Sequence, residues 1–180
     1  MGIGVLIFAL NRFGNLGLFS FKAPAISIPF KTSQDSKSSK IILPCPVEQK
    51  PCPLGEQIEP SVQNSQFTGL GFTNLSSGVK VLSSIAGEIV VQTDKDTKKV
   101  TLSIISPEQN LQINYAFKGT SPVSNSKTVN IKDVIGILAG EMLGNKVLGK
   151  DYSLIISVLG LQTKEYIKIS SSPEGIVVKP

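Results

Sequence analysis

The sequence predicts an all-β fold: a small curled antiparallel sheet, or a barrel-sandwich-hybrid-like domain, carrying an apolar N-terminal arm. Three observations lead there. Residues 77–91, SGVKVLSSIAGEIVV, place apolar side chains two apart at Val79 and Val81 and again at Ile89 and Val91. That is the period of a strand with one buried face, because successive strand side chains point opposite ways. Ser, Thr, Val, Ile and Gly are abundant while Trp is absent and Met occurs only twice, a balance that favours short strands and turns over long helices. Between the apolar runs stand charged or Pro- and Gly-bearing clusters, as hairpin turns require. The chain has 180 residues, 41% of them hydrophobic, which is enough for one cored domain of roughly 150 residues with a tail or linker.

In chain order, the first segment is the apolar arm, residues 1–30. Its leading run, IGVLIFAL at 3–10, is far shorter than the roughly 20 residues a spanning helix needs. Three readings stay open. It is a signal peptide with Ala23-Pro24-Ala25 as a small-x-small cleavage site, although no basic residue precedes the apolar run. It is a shortened membrane anchor, or it is an arm that docks on the body or on another subunit. The first two place the rest of the chain outside the cytoplasm, secreted or membrane-anchored.

Residues 31–60 read as a linker. Its first part, KTSQDSKSSK, is small and polar with nothing to bury. The proline-rich remainder holds both cysteines, Cys45 and Cys52, which are expected to form a disulfide if the chain is exported to an oxidising compartment, free structural thiols being the alternative. A zinc site is a poor reading there, since two thiolates supply half of a tetrahedral set and the chain has no histidine.

Residues 61–180 read as a β-domain. A strand, a corner and a second strand are expected over 77–91, with Gly87 at a bulge or a close backbone approach. The charged cluster at 94–99 reads as a solvated hairpin turn, although Asp94 and Asp96 could hold a cation loosely. Strands follow at 100–105 and 111–117, stopped between them by Ser106-Pro107-Glu108, with a loop at 122–127. VNIKDVIGIL at 129–138 reads as a strand, a turn at Lys132-Asp133 and a further strand in which Gly136 allows a tight backbone approach. YSLIISVL at 152–159, the longest apolar run of the body, is expected to be a core strand. A last hairpin arm at 161–169 precedes a turn at Pro173-Glu174-Gly175 and a valine-rich end.

From about 67 to 169 the order of elements resembles the LytM-type, lysostaphin-like zinc peptidoglycan peptidases. Four segments carry the likeness. The family's His-x-Gly-Ile-Asp, Gly-Thr-Pro-Val and Gly-x-Val pieces correspond to Phe67-Thr68-Gly69-Leu70-Gly71, Gly78-Val79-Lys80-Val81 and Gly87-Glu88-Ile89. Its Tyr-Ala-His segment is matched by Tyr115-Ala116-Phe117, and its Val-x-Val-x-x-Gly-x-x-Ile-Gly segment by residues 129–136. Its His-Leu-His-Phe-Glu strand is echoed by Asp151-Tyr152-Ser153-Leu154-Ile155 with Gly160 in the following turn. The resemblance implies zinc ligands and catalytic histidines at five positions, and here those positions are Phe67, Gly71, Phe117, Asp151 and Ser153. A catalytic zinc needs three protein ligands and an activated water needs a base, and of the five only Asp151 could bind a metal. The likeness therefore implies the scaffold without the peptidase: no enzyme, no cofactor and no bound metal.

Other chemistries find little support. A Ser-His-Asp or Cys-His arrangement lacks its base. Ser77-Gly78-Val79-Lys80 and Ser124-Asn125-Ser126-Lys127 match Ser-x-x-Lys, but that motif works at a helix start and both copies fall in strand or loop sequence. No glycine pattern cradles phosphate. Asn74-Leu75-Ser76 is a glycosylation sequon, of consequence only in a eukaryotic secretory setting. The net charge of +5 is spread over scattered lysines, with Arg12 the only arginine, so nucleic acid is not an expected partner. The expected role is a non-catalytic LytM-like domain in the cell envelope. It would bind peptidoglycan, another cell-wall polymer or an envelope protein, acting as a scaffold or a regulator of hydrolases. The alternative is a barrel-sandwich hybrid module of a membrane-fusion-type assembly protein. A biotinyl carrier is disfavoured because Glu141-Met142-Leu143 lacks the lysine. The third reading is an active enzyme using residues no motif reveals.

Overall fold

The structure is a computed structural model and describes residues 40–60, 67–144 and 150–179. The apolar arm at 1–30, with its three readings, and nearly all of the polar stretch after it lie outside these residues. Among the described residues there are strands and turns and no helix. The strands are β1 (Ile41–Pro44), β2 (Glu56–Ile58), β3 (Gly69–Phe72), β4 (Lys80–Leu82), β5 (Gly87–Asp94), β6 (Lys99–Ser106) and β7 (Leu111–Thr120). They continue with β8 (Lys127–Val129), β9 (Val134–Leu138), β10 (Leu154–Gly160), β11 (Tyr166–Ile167), β12 (Ile169–Ser172) and β13 (Gly175–Val178).

The larger sheet runs β2-β3-β10-β7-β6-β5-β8, with β11 added beside β10 and β9 linking β7 to β4. A three-stranded sheet runs β1-β13-β12. The pairings are antiparallel, and neither sheet closes into a barrel. The central ribbon β5-β6-β7-β10 is built from local hairpins and one long return. Strand β6 shows the cause plainly, since Val100, Leu102, Ile104 and Ser106 are buried while the residues between them are half-buried, as period-2 patterning dictates. The inner face of this sheet packs with Leu43, Val47, Val81, Ile85, Ile135, Ile169, Ile176 and Val178 from the other elements into one large core.

Over 77–91 the expected strand, corner and strand appear as β4 and β5. Gly87 is the close-approach case: an added Cβ would lie 2.2 Å from the Ile105 carbonyl oxygen across the hairpin. The register irregularity falls instead in β4, between Val81 and Leu82. The turn after β5 is tied by Asp94, whose carboxylate accepts the Asp96 N–H at 3.0 Å and the Thr97 hydroxyl at 2.8 Å. The carboxylate thereby holds the turn together.

Several segments differ from the sequence reading. Residues 41–58 are not a linker, because β1 and β2 are members of the two sheets and Leu43 and Val47 are buried. The Leu82 N–H donates to the Pro46 carbonyl at 2.8 Å, an acceptor that proline retains, and the Glu48 N–H donates to the Lys80 carbonyl at 2.9 Å, so this proline-rich stretch is tied to the body as both acceptor and donor. Cys45 and Cys52 are joined as a disulfide, and the Cys52 N–H donates to the Pro173 carbonyl at 3.1 Å. Of residues 129–131 only Val129 is in a strand; Asn130 donates its N–H to the Asp133 carboxylate at 2.7 Å and closes a turn with Lys132 at φ 71°. Gly136 does allow a close approach, but the neighbour is the Phe117 ring, 2.2 Å from an added Cβ, and not backbone. The expected arm at 161–169 divides: β11 pairs with β10, whereas β12 crosses to the small sheet.

Candidate functional site

Cross-strand register decides which of the sequence-singled residues can meet. One row runs Phe72, Leu154, Phe117 and Val100 across β3, β10, β7 and β6. These residues belong to the large core on the inner face. The next row runs Gly71, Ile155, Ala116, Thr101 and Gln92 and faces the other way, as adjacent rows must. Phe117 is therefore on the opposite side of the sheet from Gly71, and the five positions implied by the family resemblance do not assemble into one site.

On the outer face Phe67, Ile58, Ala116, Leu143, Tyr152 and Ile155 form a second apolar cluster. Phe67 stands edge-on to Tyr166, ring centroids 5.2 Å apart at 67°, a favoured aromatic geometry. The Tyr152 ring lies directly over Gly71, where an added Cβ would come within 2.3 Å of two ring carbons. Asp151 sits just before this cluster. Its carboxylate accepts the Gly144 N–H at 3.0 and 3.1 Å and the Tyr152 N–H at 2.8 Å, so it serves as a loop tie. Ser153 is buried, with its hydroxyl on the Met142 sulfur at 3.4 Å and its N–H on the Phe72 carbonyl at 2.8 Å.

The residue facing Gly71 across the strand pair is Ile155, not Ser153. Gly71, Ile155, Phe67 and Tyr152 together make a packed apolar closure, with one tyrosine hydroxyl as the only side-chain donor atom among them. Among the described residues no group of three or more His, Cys, Asp or Glu side chains could hold a metal ion.

Beyond the apolar cluster the same outer face becomes polar without becoming charged. Asn114 of β7 is its centre. Its side-chain oxygen accepts from the Ser103 hydroxyl at 2.8 Å and from the Gln112 amide at 2.7 Å, and its amide nitrogen donates to the Ser157 hydroxyl at 3.4 Å. Ser157, Asn114 and Ser103 are direct cross-strand partners on β10, β7 and β6. The row beside them runs Leu159, Gln112, Ile105 and Glu88, with Tyr166 paired to Leu159 on the flank. Ser103, Gln112 and Asn114 are half-buried, as are Thr101 and Tyr166, and burial pushes the Tyr166 hydroxyl above its ordinary pKa. Charged groups stand at the rim: Glu88 at one corner, and at the other Lys99 and Lys118, which face each other in register. Burial lowers the Lys99 pKa, and the neighbouring Asp94 opposes that shift.

The sequence reading did not single out this polar set. Its signal was the polar member of each alternation in β6 and β7, which reads as an ordinary solvated face until register joins the strands. No protein-family model matches the chain, and no curated protein matches it.

Proposed function

We propose that this chain is a non-catalytic binding module of the cell envelope, built on a LytM-like β-scaffold, that holds wall polymer without cleaving it. One observation carries the reading. Where the strand of the first likeness segment meets the core strand, the side chains are Gly71, Ile155, Phe67 and Tyr152, packed against one another as a hydrophobic closure. Such a set gives a cation no ligand shell and a water no base, while the glycines and apolar residues of the frame remain. The disulfide between Cys45 and Cys52 fits an oxidising compartment outside the cytoplasm.

The test is retention on purified insoluble peptidoglycan at low and at high salt, with a turbidity assay of the same suspension in the presence of zinc. Retention that persists in high salt, with constant turbidity, is the expected result. A net charge of +5 would give nonspecific attraction to an anionic wall, which salt screens. Failure to be retained at either salt overturns the binding reading, and clearing of the suspension overturns its non-catalytic half.

A further inference from the structure

We infer that the uncharged polar face of β6 and β7 is a binding platform for a neutral glycan backbone, such as the sugar chain of the wall polymer. This rests on the proposed wall-binding function and assigns it a surface and a ligand chemistry. Three features point to it. Charged side chains are the residues most often left exposed, yet in a chain with 18 basic and 13 acidic residues the charged groups nearest this patch stand at its rim. A ligand that pairs with charges, such as a peptide bearing free carboxylates, finds cationic partners only at the rim, in Lys99 and Lys118, and none within the patch. A neutral chain of hydroxyl and acetamido groups finds amides and hydroxyls.

The polar groups are also held in place before any ligand arrives. Asn114 is fixed by three hydrogen bonds, one of them to buried Ser157, so little side-chain freedom is left to lose on binding. Its neighbours are set by the pleat: Thr101 and Ser103 on β6 beside Gln112 and Asn114 on β7. Ser103 faces Asn114 across the strand pair, and Thr101 and Gln112 lie one repeat, about 7 Å, to either side of that rung. The patch therefore runs about 14 Å along the strands and is longer than one sugar ring. Tyr166, half-buried and flanking the row through Leu159, adds an aromatic ring at the edge. Amide and hydroxyl groups can both donate and accept, which suits a ligand whose groups do the same.

The experiment uses three probes: intact peptidoglycan, glycan strands stripped of stem peptides by amidase digestion, and a soluble β-1,4-linked N-acetylglucosamine oligosaccharide followed by amide NMR. The expected outcome is retention on both insoluble probes and oligosaccharide-induced shifts centred on Ser103, Gln112 and Asn114. Asn114→Ala is expected to weaken binding about tenfold, the scale of one or two lost hydrogen bonds. Because that variant also disturbs the network, Thr101→Glu serves beside it: it adds a charge at a half-exposed position outside the hydrogen-bonded set and is expected to weaken binding similarly while keeping the native amide dispersion. Binding to intact wall but not to stripped glycan overturns the inference and leaves the wall-binding function standing. So does native-strength binding by a folded Thr101→Glu. No retention on either insoluble probe overturns both.

Discussion

Tyr115 places an ionisable group wholly inside the core. Its ring is fully buried, and its hydroxyl accepts the Ser84 N–H at 3.0 Å. Burial pushes its pKa up from 10.0 to about 12, against the lowering effect of the neighbouring Ser84. The folded-state value lies above the unfolded one, so the contribution of the neutral hydroxyl is complete below pH 10 and is lost as pH climbs through 12. Denaturant titrations at pH 9 and pH 12 are expected to differ by about 2 kcal/mol from this group, and Tyr115→Phe is expected to remove that part of the difference. The residue types were legible in the sequence: Phe67, Gly71 and Phe117 carry no metal donor, and Asp151 is the one position of the five with a carboxylate. What each touches was not: Asp151 spends its carboxylate on the Gly144 and Tyr152 amides, partners that no spacing rule names.

At the scale of elements, the hairpins were the readable part. The turn at 94–99, the stop after Ser106 and the Pro173-Glu174 turn are local, and local chemistry sets them. The proline-rich stretch reads as a linker in sequence because proline removes a donor but not an acceptor, and because β1 finds its partner far away in sequence, in β13, while β2 pairs with β3. The disulfide pins this stretch between those two strands. Replacing both cysteines by serine is expected to cost about 2 kcal/mol, the value for closing so short a loop, read as a lower urea midpoint. β1 and β2 stay paired through their ladders, so strand content by circular dichroism is expected to persist.

For the whole molecule, the first and last described strands lie side by side: β1 pairs with β13, and β13 is the middle of the small sheet. Ile176, Val177 and Val178 are each buried. Each such side chain contributes about 1.5–3 kcal/mol on burial, so together they approach the whole stability of a domain this size, about 5–15 kcal/mol. Deleting residues 175–180 is therefore expected to unfold the chain, seen as collapse of amide dispersion in NMR. A deletion that left the dispersion native would show that the large sheet stands without its partner.

The sequence by itself determined the all-β class, the order of most strands and the want of histidine chemistry, because alternation, turn residues and composition are local properties that survive in any tertiary context. Tertiary structure alone decided that Phe117 and Gly71 lie on opposite faces, that Ile155 faces Gly71, and that Ser103, Gln112, Asn114 and Ser157 share one network. Each of these depends on strand register. A one-residue slip of register reverses every side chain, and register is fixed by the packing of the whole core rather than by any single segment.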